Sequence, residues 1–142
     1  MTEPLRLFID GGSRGNPGPA GFGVHGEDSD GQVVVELYGF LGQATNNVAE
    51  YAGLLAALRW ARDAGIGSLR LFSDSQLLVR QIQGSYKVRN AGLLPLFRRA
   101  RGLLSSIPDF AIEHVRREEN READALANRA MDEAAGNVDS PL

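Results

Sequence analysis

Polar and apolar residues alternate with a period of two in five short runs, the mark of strands with one buried face: LRLFID (5–10), AGFGVHG (20–26), QVVVELYGF (32–40), LRLFSD (69–74) and FAIEHV (110–115). Between these runs the period lengthens to that of a helix. Tyr51, Leu54, Leu55, Leu58 and Ala61 recur at three- to four-residue spacings, which predicts a helix over 47–64 that Gly65 stops. Further helical stretches cover 75–83, ended by Gly84, then LLPLFRRARGLL (93–104) and EENREADALANRAMDEAA (118–135). Ten of the 17 glycines lie in the first 42 residues, so the first three strands read as an antiparallel meander, and EDSDG (27–31) reads as a solvated turn. The order of elements predicts an α/β fold, a mixed sheet with helices packed on its faces. The polar segment GNVDSPL (136–142) is expected to be a flexible C-terminal tail.

Composition narrows this picture. A chain of 142 residues with 43% hydrophobic and 23% charged residues reads as one globular domain, here 1–135, rather than a fibre or a disordered segment. Apolar runs stay short of the ~18 residues of a membrane span, and MTEPLRLFID lacks the pattern of a signal peptide, so a cytoplasmic, soluble protein is expected. The absence of cysteine excludes disulfides and thiolate chemistry, and two histidines leave little for an imidazole metal site. Any bound metal must therefore be held by carboxylates. The net charge of −3 at first sight opposes a nucleic-acid partner.

LRLFID and LRLFSD are echoes of one another, and each ends in Asp. If the two strands are parallel neighbours, Asp10 and Asp74 project from adjacent carboxyl ends, the edge at which open α/β sheets bind ligands. The same direction count brings the starts of the helices over 47–64 and 118–135 to that edge, with Glu50 and Asp124 in their opening turns. Each acid alone has an ordinary structural explanation as a strand end, a cap or a dipole partner. Four together repel one another unless a cation neutralises them. Oxygen donors of this kind select Mg²⁺ or Mn²⁺, and two ions roughly 3.5–4 Å apart suit hydrolysis of a phosphodiester.

DGGSRGNPGPAGFG (10–23), TNNVAEYAGLLAAL (45–58), FSDSQLLVRQI (72–82) and EENREADALA (118–127) together resemble the four sequence blocks of type I ribonuclease H. The resemblance spans about residues 5–133. It implies a five-stranded sheet of order 3-2-1-4-5 with strand 2 antiparallel, and a two-metal endonuclease that cuts the RNA strand of RNA/DNA hybrids to 5′-phosphate and 3′-hydroxyl ends. Asp10, Glu50, Asp74 and Asp124 match the family's catalytic, metal-holding carboxylates. Gly15, Asn16, Asn46, Asn47 and Gln76 match positions that contact the RNA strand and minor groove, and Thr45 resembles the residue that binds a DNA phosphate. Amides on tight turns suit an enzyme that reads backbone shape and 2′-hydroxyls. A monomer with no obligate protein partner is expected.

Two departures from the family pattern matter. His114 alternates with Phe110 and Ile112 and reads as structural, so Arg117, with Arg116 second, is the better match to the phosphate-holding group near the active site. The segment QGSYKVRNAGLLPLFRRAR (83–101) lacks a basic handle, and Lys87, Arg89, Arg98, Arg99 and Arg101 read either as a solvated helix face or as a partial replacement of its charge. Double-stranded RNA as a main or additional substrate is the first alternative, and a non-catalytic scaffold of the same fold the second. With four of the 18 acids assigned to metal, 14 remain against 15 basic residues, so the net charge no longer opposes a nucleic-acid enzyme.

Overall fold

In the computed structural model, which describes residues 3–142, ten short elements follow in the expected order. They are β1 (Leu5–Ser13), β2 (Gly18–Glu27), β3 (Val33–Ala44), α1 (Asn46–Asp63), β4 (Ser68–Ser73), α2 (Gln76–Gln83), α3 (Leu94–Leu104), β5 (Asp109–His114), a 3₁₀ turn (Arg117–Glu119) and α4 (Arg121–Glu133). The strands form one sheet of order β3-β2-β1-β4-β5. β2 runs antiparallel to β1 and β3, whereas β4 is parallel to both β1 and β5. Among the described residues, no helix is long and apolar enough to cross a membrane.

Period-two alternation sorts the sheet into two faces. Leu7, Ile9, Phe22, Val24, Leu69, Leu71 and Ile112 turn to one side, where they meet Leu54, Leu55 and Leu58 of α1 and the apolar stripes of α2 and α3 in one core. Burying a side chain of this size stabilises the fold by about 1.5–3 kcal/mol, so this layer supplies most of the driving force. α4 packs alone on the other face through small residues, Ala123, Ala127 and Ala130.

The helices approach the sheet closely because glycines let them. A Cβ added at Gly11 would lie 2.2 Å from the Ala49 carbonyl carbon and oxygen, and one at Gly53 would lie 2.9 Å from the Asp10 carbonyl oxygen. β1 and α1 therefore touch backbone to backbone. A Cβ at Gly23 would lie 2.3 Å from the Ala123 carbonyl oxygen, which fixes α4 against β2 in the same way. These contacts position the acids described below.

Two segments differ from expectation. Within residues 136–142, expected to be loose, Asn137 is tied to β3: its side chain accepts from the Tyr38 N–H at 2.8 Å and donates to the Glu36 carbonyl at 2.9 Å, and its own N–H donates to the Tyr38 carbonyl at 3.0 Å. One residue thus covers part of the open edge of the strand. His25, to which the sequence assigns no role, is buried between two carboxylates, with Nδ1 2.9 Å from Glu36 and Nε2 2.8 Å from Glu27. Burial opposes its charge, but the two carboxylates prevail and raise its pKa. Arg6 completes the row by donating to Glu27 at 3.1 Å, so charges of alternating sign link β1, β2 and β3.

Gly11→Ala and Gly23→Ala are expected to lower stability by about 3 kcal/mol or more, because backbone rather than a movable side chain blocks the new methyl group. Gly67→Ala, where nothing lies within 4 Å of the added carbon, should leave the thermal midpoint nearly unchanged. Thermal unfolding of the three variants checks this.

Candidate active site

β1 and β4 bring the first two acids together. Ile9 stands opposite Ser73 in the parallel register, so Asp10 and Asp74 follow as neighbours at the carboxyl ends of adjacent strands. Glu50 arrives on the first turns of α1, whose start is capped by the Thr45 hydroxyl accepting from the Val48 N–H at 3.2 Å. The Gly11–Ala49 contact sets how far Glu50 stands from Asp10. α4 contributes Asp124, whose N–H donates to the Asn120 carbonyl at 3.0 Å. Asn128, one turn later, donates to the Asp124 carbonyl oxygen at 3.1 Å and to its carboxylate at 3.3 Å.

Carboxylate oxygens of Asp10, Glu50 and Asp74 all lie within 4.8 Å of one another, a grouping that could hold a metal ion. Asp124 lies outside that trio but close enough to raise the Asp10 pKa. The electrostatic strain is plain. Burial, then the Asp74 and Asp124 carboxylates, push the Asp10 pKa up to about 8. Burial and the charges of Asp10 and Asp74 also hold the Glu50 pKa well above the ordinary carboxylate range. Asp74 is raised by burial too, although the Asn120 amide, the Arg117 guanidinium and His114 pull it back. One Glu50 oxygen, Oε2, is buried without a hydrogen-bond partner.

The four acids line an open cleft of about 660 Å³ whose other walls include Arg14, Asn46, Arg116, Arg117, His114 and Asn128. Arg116 and Arg117 both line the cleft; the Arg117 charge lowers the Asp74 pKa, while Arg116 is paired with Glu119 at 3.4 Å. His114 corrects the sequence reading. Instead of being a buried structural residue it is exposed at the cleft, its Nε2 3.3 Å from the Asp74 carbonyl oxygen. Its alternation with Phe110 and Ile112 is real, but it ends the strand, where the apolar layer has stopped.

The remaining sequence-selected residues form a polar surface beside the acids. The Ser13 N–H donates to Asn46 Oδ1 at 2.8 Å, and the Asn46 N–H donates to Asn16 Oδ1 at 3.1 Å. The acceptors of both amides are thereby occupied within the protein, which orients their NH₂ groups. Gly15 takes a left-handed φ of 86° at the turn. Asn47 and Gln76 are exposed, and with its carbonyl toward Arg80, Gln76 accepts at 3.0 Å. Of the substrate-contact set, Asn46 and Arg117 line the cleft itself, whereas Gly15, Asn16, Thr45, Asn47 and Gln76 lie outside its lining. Sequence reasoning missed Arg14 and Asn120, whose partners Asp132 and Ile9 lie far away in the chain, and Asn128, whose i, i+4 spacing from Asp124 was a local signal.

Asp10 titrates near 3.8 in an unfolded chain and about 8 when folded, so the unfolded chain loses its proton first as pH rises. Metal-free stability should therefore fall between about pH 4 and pH 8, by an amount on the order of a few kcal/mol. Asp10→Asn is expected to flatten that fall and raise the thermal midpoint at the alkaline end in chelator; an unaltered pH profile would contradict the electrostatic account.

A family profile described as "Reverse transcriptase-like" matches residues 8–130. Ribonuclease HI of Halobacterium salinarum is 46% identical over 130 residues, covering 92% of this chain and 65% of that protein. The bifunctional protein Rv2228c of Mycobacterium tuberculosis is likewise 46% identical over 130 residues, but only 36% of its length is covered. The chain thus spans about two thirds of one relative and about a third of the other. The crystal structure of RNase H1 from H. salinarum superposes with a TM-score of 0.89 at 44% identity, covering 92% of this chain and 99% of that one. LC11-RNase H1, solved in complex with an RNA/DNA hybrid, gives 0.87 at 38% identity, covering 92% and 98%. Sheet order, converging acids and these likenesses agree, and the chain belongs to the type I ribonuclease H family.

Proposed function

We propose that this chain is an endoribonuclease that hydrolyses the RNA strand of RNA/DNA hybrids, with 5′-phosphate and 3′-hydroxyl products, using two divalent cations. The observation that carries this reading is the gathering of the Asp10, Glu50 and Asp74 carboxylate oxygens within 4.8 Å, where burial already disfavours their charge. The hybrid bound by LC11-RNase H1 supports the choice of substrate.

The donor set fits a hard cation. The cluster offers carboxylate oxygens, which suit Mg²⁺, with Mn²⁺ as the alternative. The orphaned Oε2 of Glu50 would gain a partner in such an ion. Asp10, Glu50, Asp74 and Asp124 are the residues that would hold the metals. When bound, the ions supply an acidified water and offset charge on the attacking and leaving oxygens of the phosphodiester.

The chain's own groups do the rest. Arg117, beside Asp74, is placed to hold a phosphate oxygen with a charge that persists at any working pH. The NH₂ groups of Asn16 and Asn46, oriented by the hydrogen bonds described above, would meet ribose hydroxyls and base edges in the minor groove, with Gly15, Asn47 and Gln76 beside them. Thr45 caps α1 through its oxygen and keeps its hydroxyl proton for a DNA phosphate.

Asp74→Asn is expected to lower cleavage of a labelled hybrid by about 10³-fold or more while hybrid binding is retained. Chelator should abolish wild-type cleavage, and Mg²⁺ or Mn²⁺ should restore it. Unchanged turnover of Asp74→Asn in Mg²⁺ would overturn the assignment. Equal or faster cleavage of an RNA duplex at the same salt concentration would replace hybrid by double-stranded RNA as the preferred substrate.

A further inference from the structure

Asn120 stands at the start of α4, where an asparagine side chain ordinarily accepts a hydrogen bond from the first helical turn. Here it makes no such cap. The residue is fully buried, and its side chain turns inward, with Nδ2 donating to the Ile9 carbonyl at 2.9 Å. The same side chain favours the charged form of the Asp74 carboxylate. Its backbone carbonyl accepts from the Asp124 N–H at 3.0 Å. One residue is therefore bonded to the peptide that leads into Asp10 and to the backbone of Asp124, and acts electrostatically on Asp74.

Its Oδ1 is buried with no partner. A residue retained for folding alone would be expected to cap the helix and to leave no buried carbonyl oxygen unpaired, since both omissions cost stability. Such groups call for an explanation, and a role in the site is one. The amide nitrogen carries two N–H bonds on one rigid plane. One is spent on the Ile9 carbonyl of β1, the residue before Asp10, which ties the start of α4 to the strand end that carries that acid.

We propose that Asn120 is a positioning residue that fixes Asp10, Asp74 and Asp124 in one arrangement and so sets how tightly the cluster takes a divalent cation. This rests on the metal-dependent reading of the site. Asn120→Asp keeps the shape of the side chain but removes its donor, and Asn120→Leu keeps its branching and number of heavy atoms but removes both polar atoms. Asn120→Ser is smaller and still able to donate. Ala130→Gly, in the contact of α4 with Gly21 away from the acids, loosens the helix without touching the cluster.

The test combines three measurements on the full chain: Mn²⁺ binding by calorimetry without substrate, hybrid cleavage as a function of Mg²⁺, and thermal unfolding. Asn120→Asp and Asn120→Leu are expected to lose roughly 10- to 100-fold in Mn²⁺ affinity and in kcat at limiting Mg²⁺, with the hybrid KM unchanged and Asn120→Ser in between. Ala130→Gly should lose thermal stability yet keep wild-type Mn²⁺ affinity and kcat. Wild-type Mn²⁺ affinity in the folded Asn120 variants would overturn the proposal, as would an equal loss in Ala130→Gly. A wild-type protein that binds Mn²⁺ but cleaves no hybrid would instead overturn the functional reading, and the calorimetry would still decide on Asn120.

Discussion

Mutual repulsion among four carboxylates is the constraint to which the rest of this molecule answers. With the Asp10 pKa pushed up to about 8 and Glu50 also held well above its ordinary range, the cluster works against folding whenever it is charged and unneutralised. What resists it is backbone, not flexible side chains. β1 meets α1 at Gly11 and Gly53, β2 meets α4 at Gly23, and β1 pairs directly with β4. The first and last of these contacts each bring two acid-bearing segments to a separation that no rotamer change can relax, and the Gly23 contact seats the helix that carries Asp124. The leucine-rich layer between the sheet and α1 supplies the stabilisation that makes such crowding tolerable.

Around this acidic centre the protein places groups of the opposite kind. Arg14, Arg117 and the oriented amides lie on the rim, so the negative cleft is bordered by donors. Several other arginines are structurally engaged. Arg101 donates to the Ile82 carbonyl at 3.2 Å and Arg99 donates to the Pro141 carbonyl, which ties α3 to α2 and to the C-terminal segment. Arg14 is itself paired with Asp132 at 2.6 Å and reaches Asn128, the residue that holds Asp124. Two of the basic residues over 83–101 thus help to hold α3 in place.

Element types and order were legible because the two periodicities are strong and glycines mark the breaks. The echo of LRLFID and LRLFSD appears in the structure as a register in which Leu5 to Ile9 stand opposite Leu69 to Ser73. What the pattern could not show was the fate of residues whose partners are remote. His25 has no helical or strand-period signal for its role, since Glu36 reaches it from the neighbouring strand. His114 was misread because alternation reports the face of a strand and not where the apolar layer ends. The final residues looked like a loose polar tail, yet the Asn137 side chain bonds the backbone of β3 across 99 and 101 positions of sequence.

By itself, then, the sequence determined the fold class, the sheet order once its family likeness was seen, and the identity of the four acids, because these depend on local periodicity and on residue type. The tertiary structure alone decided which of those acids share one 4.8 Å cluster, that the Arg117 charge acts on Asp74, and that the Asn120 side chain turns away from its helix to bond the peptide before Asp10. The physical reason is that carboxylate separations, burial and hydrogen-bond partners are set by backbone contacts between segments far apart in the chain, and no local pattern encodes a distance.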